Sequence, residues 1–316
     1  QAPDAPAAPN PIQHEIISRA SEMRPRITGR HHRPTSQAGI TGPHRRKRKI
    51  ICSHVHFCYT LAMTGSSPKA ALITGASKRI GRALALGLAD DGWHIGIHYH
   101  QSTEDAEALA TEIAARGGRA ALLQADLSQI QEVGNLVARC KEHLGPLGLL
   151  INNASLFERD TVGTVSPSSW EAHLTTNLQA PAFLMQDFAH QAEAGDAIIN
   201  IIDQRIWRLN PDFISYTVSK TGLWTLTQTF AQALADKQIR VNAIGPGPTL
   251  PNPRQSIADF EKQASLVPLS YGAQPDDIVH AARFILSAPA MTGQMIALDG
   301  GQHLAWKTPD IVEINE

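Results

Sequence analysis

From Lys69 onward, short and almost unbroken apolar runs alternate with longer segments whose apolar residues recur at helical spacing. Ala70–Thr74 (AALIT) reads as a buried strand and Ile80–Ala89 as an amphipathic helix. The same reading gives strands at Trp93–Tyr99, Ala120–Gln124, Gly148–Asn152, Ala197–Ile202, Arg240–Ile244 and Gln294–Leu298. Between them it predicts helices over Thr103–Arg116, Leu127–Leu144, Trp170–Ala192, Phe213–Asp236 and Pro275–Ser287. Ser102 or Thr103 is placed to cap the second helix, and Gly117-Gly118 to close it. The proline-rich stretch after Pro246 carries no period and is expected to be irregular. Strands this apolar are covered on both faces, so the expected fold is α/β: a single doubly wound Rossmann-type parallel sheet with helices on both faces. Its ligands belong beyond the carboxyl ends of the strands, where the strand order switches.

Composition changes the picture only at the front end. Residues 1–65 open on QAPDAPAAPNP and continue with Arg, His, Pro and Gly in no period. Such a segment cannot bury enough apolar surface to offset its ordering entropy, so it is expected to be a disordered or non-native extension. Residues 66–316 then form the dinucleotide-binding domain, with Met63 expected to be the real start. HRRKRK at 44–49 reads as a solvated charge run. Cys52, His54, His56 and Cys58 are metal-ligand types, but their spacing lacks a CxxC knuckle, and no metal site is expected. A net charge of −1 gives no reason to expect a nucleic-acid partner. No apolar run reaches the roughly 20 residues that span a bilayer, and the first residues do not resemble a secretory signal. Three cysteines, with only Cys140 in the folded part, suit a reducing, cytoplasmic setting.

The chemistry gathers at strand ends. After the first strand, TGASKRIG (74–81) turns into a helix; Gly75 and Gly81 allow a tight turn, and the amides of Ser77, Lys78, Arg79 and Ile80 can meet a pyrophosphate. This is not the GxGxxG fingerprint, because Arg79 holds the middle-glycine position. The second strand ends in HYHQS: His98, Tyr99, His100 and Ser102 stand where an NAD site carries a carboxylate. With cationic Lys78 and Arg79 nearby, they suit the 2′-phosphate of NADPH instead. Asp126 and Leu127 follow the third strand, and Asn153, Ala154 and Ser155 of NNAS follow the fourth. Asp203 ends the fifth strand, and the next helix sets Tyr216 and Lys220 at i, i+4 on one face. An ammonium about 4 Å from the phenol contributes on the order of 4 kcal/mol at an effective dielectric of about 20. That favours phenolate by up to about three pH units, making Tyr216 a proton donor and acceptor near neutrality.

In their order and spacing these residues resemble the short-chain dehydrogenase/reductase family over residues 69–305. TG…G, NNAS, Asn177 in TTNLQAP, YxxxK, RVNAIGPGP and DGG at 299–301 carry the resemblance. Within the family the chain is most similar to the pteridine reductases and dihydromonapterin reductases, which also have an aspartate thirteen residues before the tyrosine, as Asp203 stands before Tyr216. The resemblance implies that Phe157 stacks on a pterin ring and that Arg79 reaches both the cofactor phosphate and the pterin. It further implies that Lys220 holds the nicotinamide ribose, that Asn177 anchors a relay water, that Pro246 and Gly247 border the cofactor, and that the assembly is a homotetramer. Gln101 stands where the subgroup carries an arginine, and QRIWRLNPDF (204–213) and GPTLPNPRQ (247–255) do not match closely.

The expected reaction is NADPH-dependent reduction of a dihydropterin C=N bond, with a small molecule as the only partner besides further copies of the chain. Two alternatives stand beside it: a carbonyl reductase acting on a ketone or 3-oxoacyl thioester, and a catalytically idle NADPH-binding regulator.

Overall fold

A computed structural model describes residues 69–252, 254–308 and 312. The expectations for the front segment, including the basic run, the Cys/His quartet and Met63, lie outside the described residues. Seven parallel strands form one sheet: β1 Ala70–Ile73, β2 His94–Tyr99, β3 Ala120–Gln124, β4 Leu147–Asn152, β5 Ala197–Ile201, β6 Arg240–Pro246 and β7 Met295–Leu298. Their order, β3-β2-β1-β4-β5-β6-β7, reverses direction between β1 and β4 and opens a crevice there.

The helices, in chain order, are α1 Arg79–Asp90, α2 Thr103–Ala115, α3 Ile130–Val133, α4 Leu136–Leu144, α5 Pro167–Leu174, α6 Ala180–Gln191, α7 Ile214–Ala233, α8 Ile257–Ser265 and α9 Pro275–Ser287. Alternate residues of each strand feed two separate cores. Ala71 and Ile73 of β1 pack with α1, α2 and α9, whereas Ala70 and Leu72 pack with α4, α6 and α7. Both faces being dry is why the strands read as unbroken apolar runs. Gly96 of β2 marks how tight this is, since a Cβ there would lie 2.5 Å from Cys140 Sγ. The same enclosure pushes the Cys140 thiol up to about 12, which leaves it unreactive.

Three elements differ from the sequence reading. The helix expected over Leu127–Leu144 is broken by Gly134 and Asn135 into α3 and α4. The helix expected from Trp170 starts at Pro167, where Ser166 accepts a hydrogen bond from Ser169 N at 3.2 Å, and it carries a π-turn at Thr175–Gln179. The stretch after Pro246 holds α8, capped by Ser256, which accepts from Asp259 N at 3.1 Å. Flanking prolines hid its period.

Candidate active site

A cleft of about 1060 Å³ lies across the carboxyl ends of the strands. One side is a pair of interlocked turns. Gly75, in the left-handed region at φ +60°, donates its amide to His98 Nδ1 at 3.0 Å. His98 Nε2 lies 3.2 Å from the Ala125 carbonyl, so Nε2 carries the proton and Nδ1 accepts. Burial lowers this imidazole to about 4, keeping it neutral. Thr74 Oγ1 accepts from the amides of Asn153 and Ala154 at 2.9 and 3.0 Å. Asn153 Nδ2 in turn donates to the carbonyls of Thr74 and Gly75 at 2.9 and 3.1 Å. A Cβ on Gly81 would sit 2.2 Å from the Gly75 carbonyl and 2.6 Å from Asn153 Nδ2. Only glycine lets α1 enter so close, and the amides of its first turn border an anion-sized cradle. The residues present thus fit a dinucleotide's phosphates.

Arg79 opens α1 at φ +55°, a conformation that costs a side-chain-bearing residue about 1–2 kcal/mol. Its guanidinium crosses the cleft and donates to the carbonyls of Pro251 and Leu250 at 2.5 and 3.1 Å. The expected reach to phosphate and substrate is therefore occupied by the loop after β6. Lys78 pairs with Asp105 at 2.8 Å, and His100 Nε2 lies 3.7 Å from Asp126, both on the exposed rim. Ile80, Leu127, Ser155, Pro246 and Gly247 line the cleft as expected.

Ser77, Tyr99, Ser102 and Asn177 do not line it. Ser77 is buried within the turn. Tyr99 belongs to the α1–α2 core, because adjacent strand residues point to opposite faces and His98 takes the other one. Ser102 stands at the N-cap of α2 with no side-chain cap bond. Asn177, fully buried in the π-turn, accepts from Leu156 N at 2.7 Å and donates to the Leu156 carbonyl and Ser219 Oγ at 2.9 and 3.1 Å. Its side chain fixes the loop after β4 against α7.

On the other side the Tyr216 hydroxyl donates to Asp203 Oδ2 at 2.9 Å, and Asp203 Oδ1 accepts from Arg205 N at 2.8 Å. Lys220 Nζ donates to the Ile201 carbonyl at 2.8 Å and lies 5.8 Å from the Tyr216 ring centroid. The i, i+4 spacing does bring Asp203, Tyr216 and Lys220 together. The lowering expected from Lys220 is offset, however. Desolvation and then the neighbouring Asp203 charge hold the Tyr216 hydroxyl well above its ordinary pKa. Desolvation also raises Asp203, with Arg205 opposing it, and lowers Lys220 to about 8. The phenol is thus the donor and the Asp203 carboxylate the acceptor of the hydrogen bond between them.

Phe157 lines this half, but its face is covered by Phe213, stacked at 4.5 Å with 3° between the planes. Tyr216 meets Phe157 edge-on at 4.7 Å, and Arg205 and Arg254 lie 5.8 and 5.7 Å from its centroid. Arg254 also ties Glu158 and the Phe157 carbonyl to the loop after β6. Among the described residues, Nε and Nη1 of Arg205 and Oε1 of Gln204 are buried without a hydrogen-bond partner. Such groups cost about 1–3 kcal/mol each, more when charged.

Sequence reasoning missed Phe213, Arg205 and Arg254, and a buried cluster beneath them. Ser215 Oγ donates to Asp160 and lies 2.8 Å from His173 Nδ1, while His173 Nε2 accepts from Glu158 N at 3.1 Å. Phe213, left-handed at φ +61°, donates its amide to the Asp160 carbonyl at 2.7 Å. This cluster pins the first turn of α7, and so Tyr216, to the loop carrying Phe157. Nothing local in sequence links 160, 173 and 215. For Arg205, its place two residues past Asp203 was the available signal.

Comparison with known proteins agrees with this geometry. The family model described as Enoyl-(Acyl carrier protein) reductase matches residues 75–303. The 3-oxoacyl-(acyl-carrier-protein) reductase FabG of Staphylococcus aureus is 32% identical over 242 residues, 75% of this chain and 98% of the relative. The crystal structure of FolM Alternative dihydrofolate reductase 1 from Brucella suis, in complex with NADP, superposes with a TM-score of 0.74 at 45% identity, covering 77% of this chain and 98% of that one. A short chain dehydrogenase from Burkholderia cenocepacia, also with NADP, gives 0.71 at 31% identity over 74% of this chain and 97% of that one. With the fold, the interlocked turns and the Tyr216–Lys220 helix in place, the chain belongs to the short-chain dehydrogenase/reductase family.

Proposed function

We propose that the protein reduces a C=N bond of a dihydropterin-type substrate to the tetrahydro form, with NADPH as reductant. The observation that carries this reading is the hydrogen bond from Tyr216 into the Asp203 carboxylate. A carboxylate at this point repels the oxyanion that develops in carbonyl reduction, whereas a ring nitrogen gaining a proton suffers no such repulsion. NADPH, when bound, supplies the hydride to the ring carbon. Tyr216, kept protonated by its surroundings, gives its proton to the adjacent nitrogen. Asp203, itself raised, can hold the replacement proton and return it to the phenol. Lys220 is fixed by the Ile201 carbonyl beside the tyrosine, where it can meet the ribose hydroxyls. The amides at the start of α1, Asn153 and Gly81 shape the phosphate cradle. NADP in the FolM and Burkholderia neighbours supports the cofactor, and the FolM likeness supports a pterin.

A carbonyl substrate is the second reading, favoured by the likeness to the 3-oxoacyl reductase. Turnover of a dihydropterin, dihydrofolate, a simple ketone and a 3-oxoacyl thioester, each with NADPH, decides between them. Pterin-type turnover is expected to dominate; turnover confined to the thioester or ketone overturns the reading.

The proposed assembly is a cytoplasmic homotetramer with α5–α6 and α7 at an interface. Trp170, Phe183 and Val218, on those helices, are 38%, 41% and 42% exposed, an apolar patch suited to a second copy. Sedimentation should give the tetramer mass, and a monomer at micromolar concentration would refute it. Among the described residues no helix is long and apolar enough to cross a membrane.

A further inference from the structure

The turn after β5 carries polar atoms that neither the scaffold nor the proposed proton path uses. Arg205 presents two buried donors, Nε and Nη1, and Gln204, 5% exposed, presents a buried acceptor, Oε1; among the described residues none has a partner. Both residues line the cleft. The Arg205 guanidinium lies 4.8 Å from the Phe213 ring and 5.8 Å from the Phe157 ring, so it borders the aromatic pair. Asp203, on the same turn, accepts the Arg205 backbone amide and lies within Coulombic reach of the guanidinium. What the guanidinium lacks is an acceptor lone pair. What Gln204 lacks is a donor. Donors and an acceptor on adjacent residues of the cleft lining complement a cyclic amide edge, in which a ring carbonyl adjoins a ring N–H.

We infer that Arg205 and Gln204 read the cyclic-amide edge of the substrate heterocycle, making Arg205 a specificity-determining residue next to the Asp203–Tyr216 pair. This rests on the pterin reading above and adds to it the edge that is recognised and the residues that recognise it. A neutral ring carbonyl fits; an amino group in its place would set donor against donor, with the site's cation left unsatisfied.

The test compares pterin with 2,4-diaminopteridine, which replaces that carbonyl by an amino group, binding to the full chain loaded with NADP+. Dissociation constants are measured for wild type, Arg205→Met and Arg205→Lys, with thermal melts to show that each variant is folded. Arg205→Met should weaken pterin roughly ten- to 150-fold, the loss of one buried charged hydrogen bond. The diamino compound should change by less than about threefold. Arg205→Lys, which keeps a donor, should recover part of the pterin affinity. Equal weakening of both compounds, or unchanged pterin affinity in a folded Arg205→Met, overturns the inference and leaves the pterin reading standing. Failure of both compounds to bind wild type overturns the pterin reading and this inference with it.

Discussion

On the β1–β4 side of the cleft, side chains are consumed by the scaffold. His98, Thr74 and Asn153 spend their polar atoms on the backbone of neighbouring turns, and Gly81 exists to let two backbones touch. On the β5–β6 side the balance reverses. Arg205 and Gln204 keep buried polar atoms without partners, Phe213 sits in a left-handed conformation, and Tyr216 donates its hydroxyl to Asp203. His98, Thr74 and Asn153 are satisfied before anything binds, although Asn152 Oδ1 at the end of β4 is not. The unpartnered atoms of Arg205 and Gln204, by contrast, belong to residues that line the cleft, where a ligand can complete them. Satisfied networks confer rigidity, and unsatisfied ones confer a preference for whatever completes them. If this contrast holds, substitutions on the first side should register mainly in stability, and those on the second mainly in turnover.

Tyr216→Phe is the strongest test on the reactive side. The phenol is the proposed proton donor, so its loss should lower kcat by about 10²–10⁴-fold. NADPH affinity, followed by nicotinamide fluorescence, should stay close to wild type, since the ring and its contact with Phe157 remain. Lys220→Ala should damage both. Near wild-type turnover in Tyr216→Phe would remove the proton role from this residue.

His98 tests the opposite side and should speak through stability. Its folded pKa is about 4 against an unfolded value near 6.5. The folded state therefore binds fewer protons between those values, so this contribution is complete above pH 6.5 and is lost as pH falls towards 4. The shift corresponds to about 3 kcal/mol. In His98→Gln, an amide that can accept from Gly75 and donate to Ala125 without titrating, that portion of the acid sensitivity should vanish. Chemical denaturation of both proteins between pH 4 and 7 measures it; parallel curves would show that His98 is not held neutral.

The same contrast explains what was legible in the sequence. The strand runs, the glycine turn, NNAS and the Tyr216–Lys220 pair are local patterns, and local geometry governs them. Tyr99 was misplaced because the pleat sends it away from His98, although the two are adjacent. The expected lowering of Tyr216 by Lys220 is offset for a longer-range reason. That expectation counted Lys220 but not the Asp203 carboxylate, thirteen residues away in the chain and 2.9 Å away in space. Phe213 over Phe157, Arg254 on the Phe157 carbonyl and the Asp160–His173–Ser215 cluster join loops far apart in sequence, and no period encodes them. The half built from backbone was readable, and the half built from side-chain encounters was not.

Asp203→Ser sharpens the comparison between the two substrate readings. Removing a buried, charged hydrogen-bond partner of Tyr216 should reduce dihydropterin turnover roughly ten- to 150-fold. A serine hydroxyl can still bond the phenol and, as a neutral donor, tolerates an oxyanion, so any ketone activity should hold or rise. Pterin turnover that survives intact in a folded Asp203→Ser would undo the reason for preferring a C=N bond.

The smallest expected effect is the preference for NADPH over NADH, and its size follows from where its residues stand. The β2 end offers no carboxylate to the ribose before Glu104, and Lys78 and His100 are the cleft-lining side chains there proposed to meet a 2′-phosphate. Both sit on the rim, 54% and 49% exposed, and each already faces a carboxylate, Asp105 or Asp126. Exposed pairs of this kind are worth up to about 1 kcal/mol and are screened by salt. Arg79, the other cation nearby, donates to the carbonyls of Leu250 and Pro251. Lys78→Ala and His100→Ala should therefore each erode the NADPH-to-NADH ratio of kcat/KM by about two- to fivefold, with a smaller loss at high salt. Thermal stability should not move, which sets these rim residues apart from His98 one turn inward. Equal use of NADH by wild type would contradict the NADPH assignment, and a far larger loss in Lys78→Ala would mean that Lys78 leaves Asp105 to grip the phosphate.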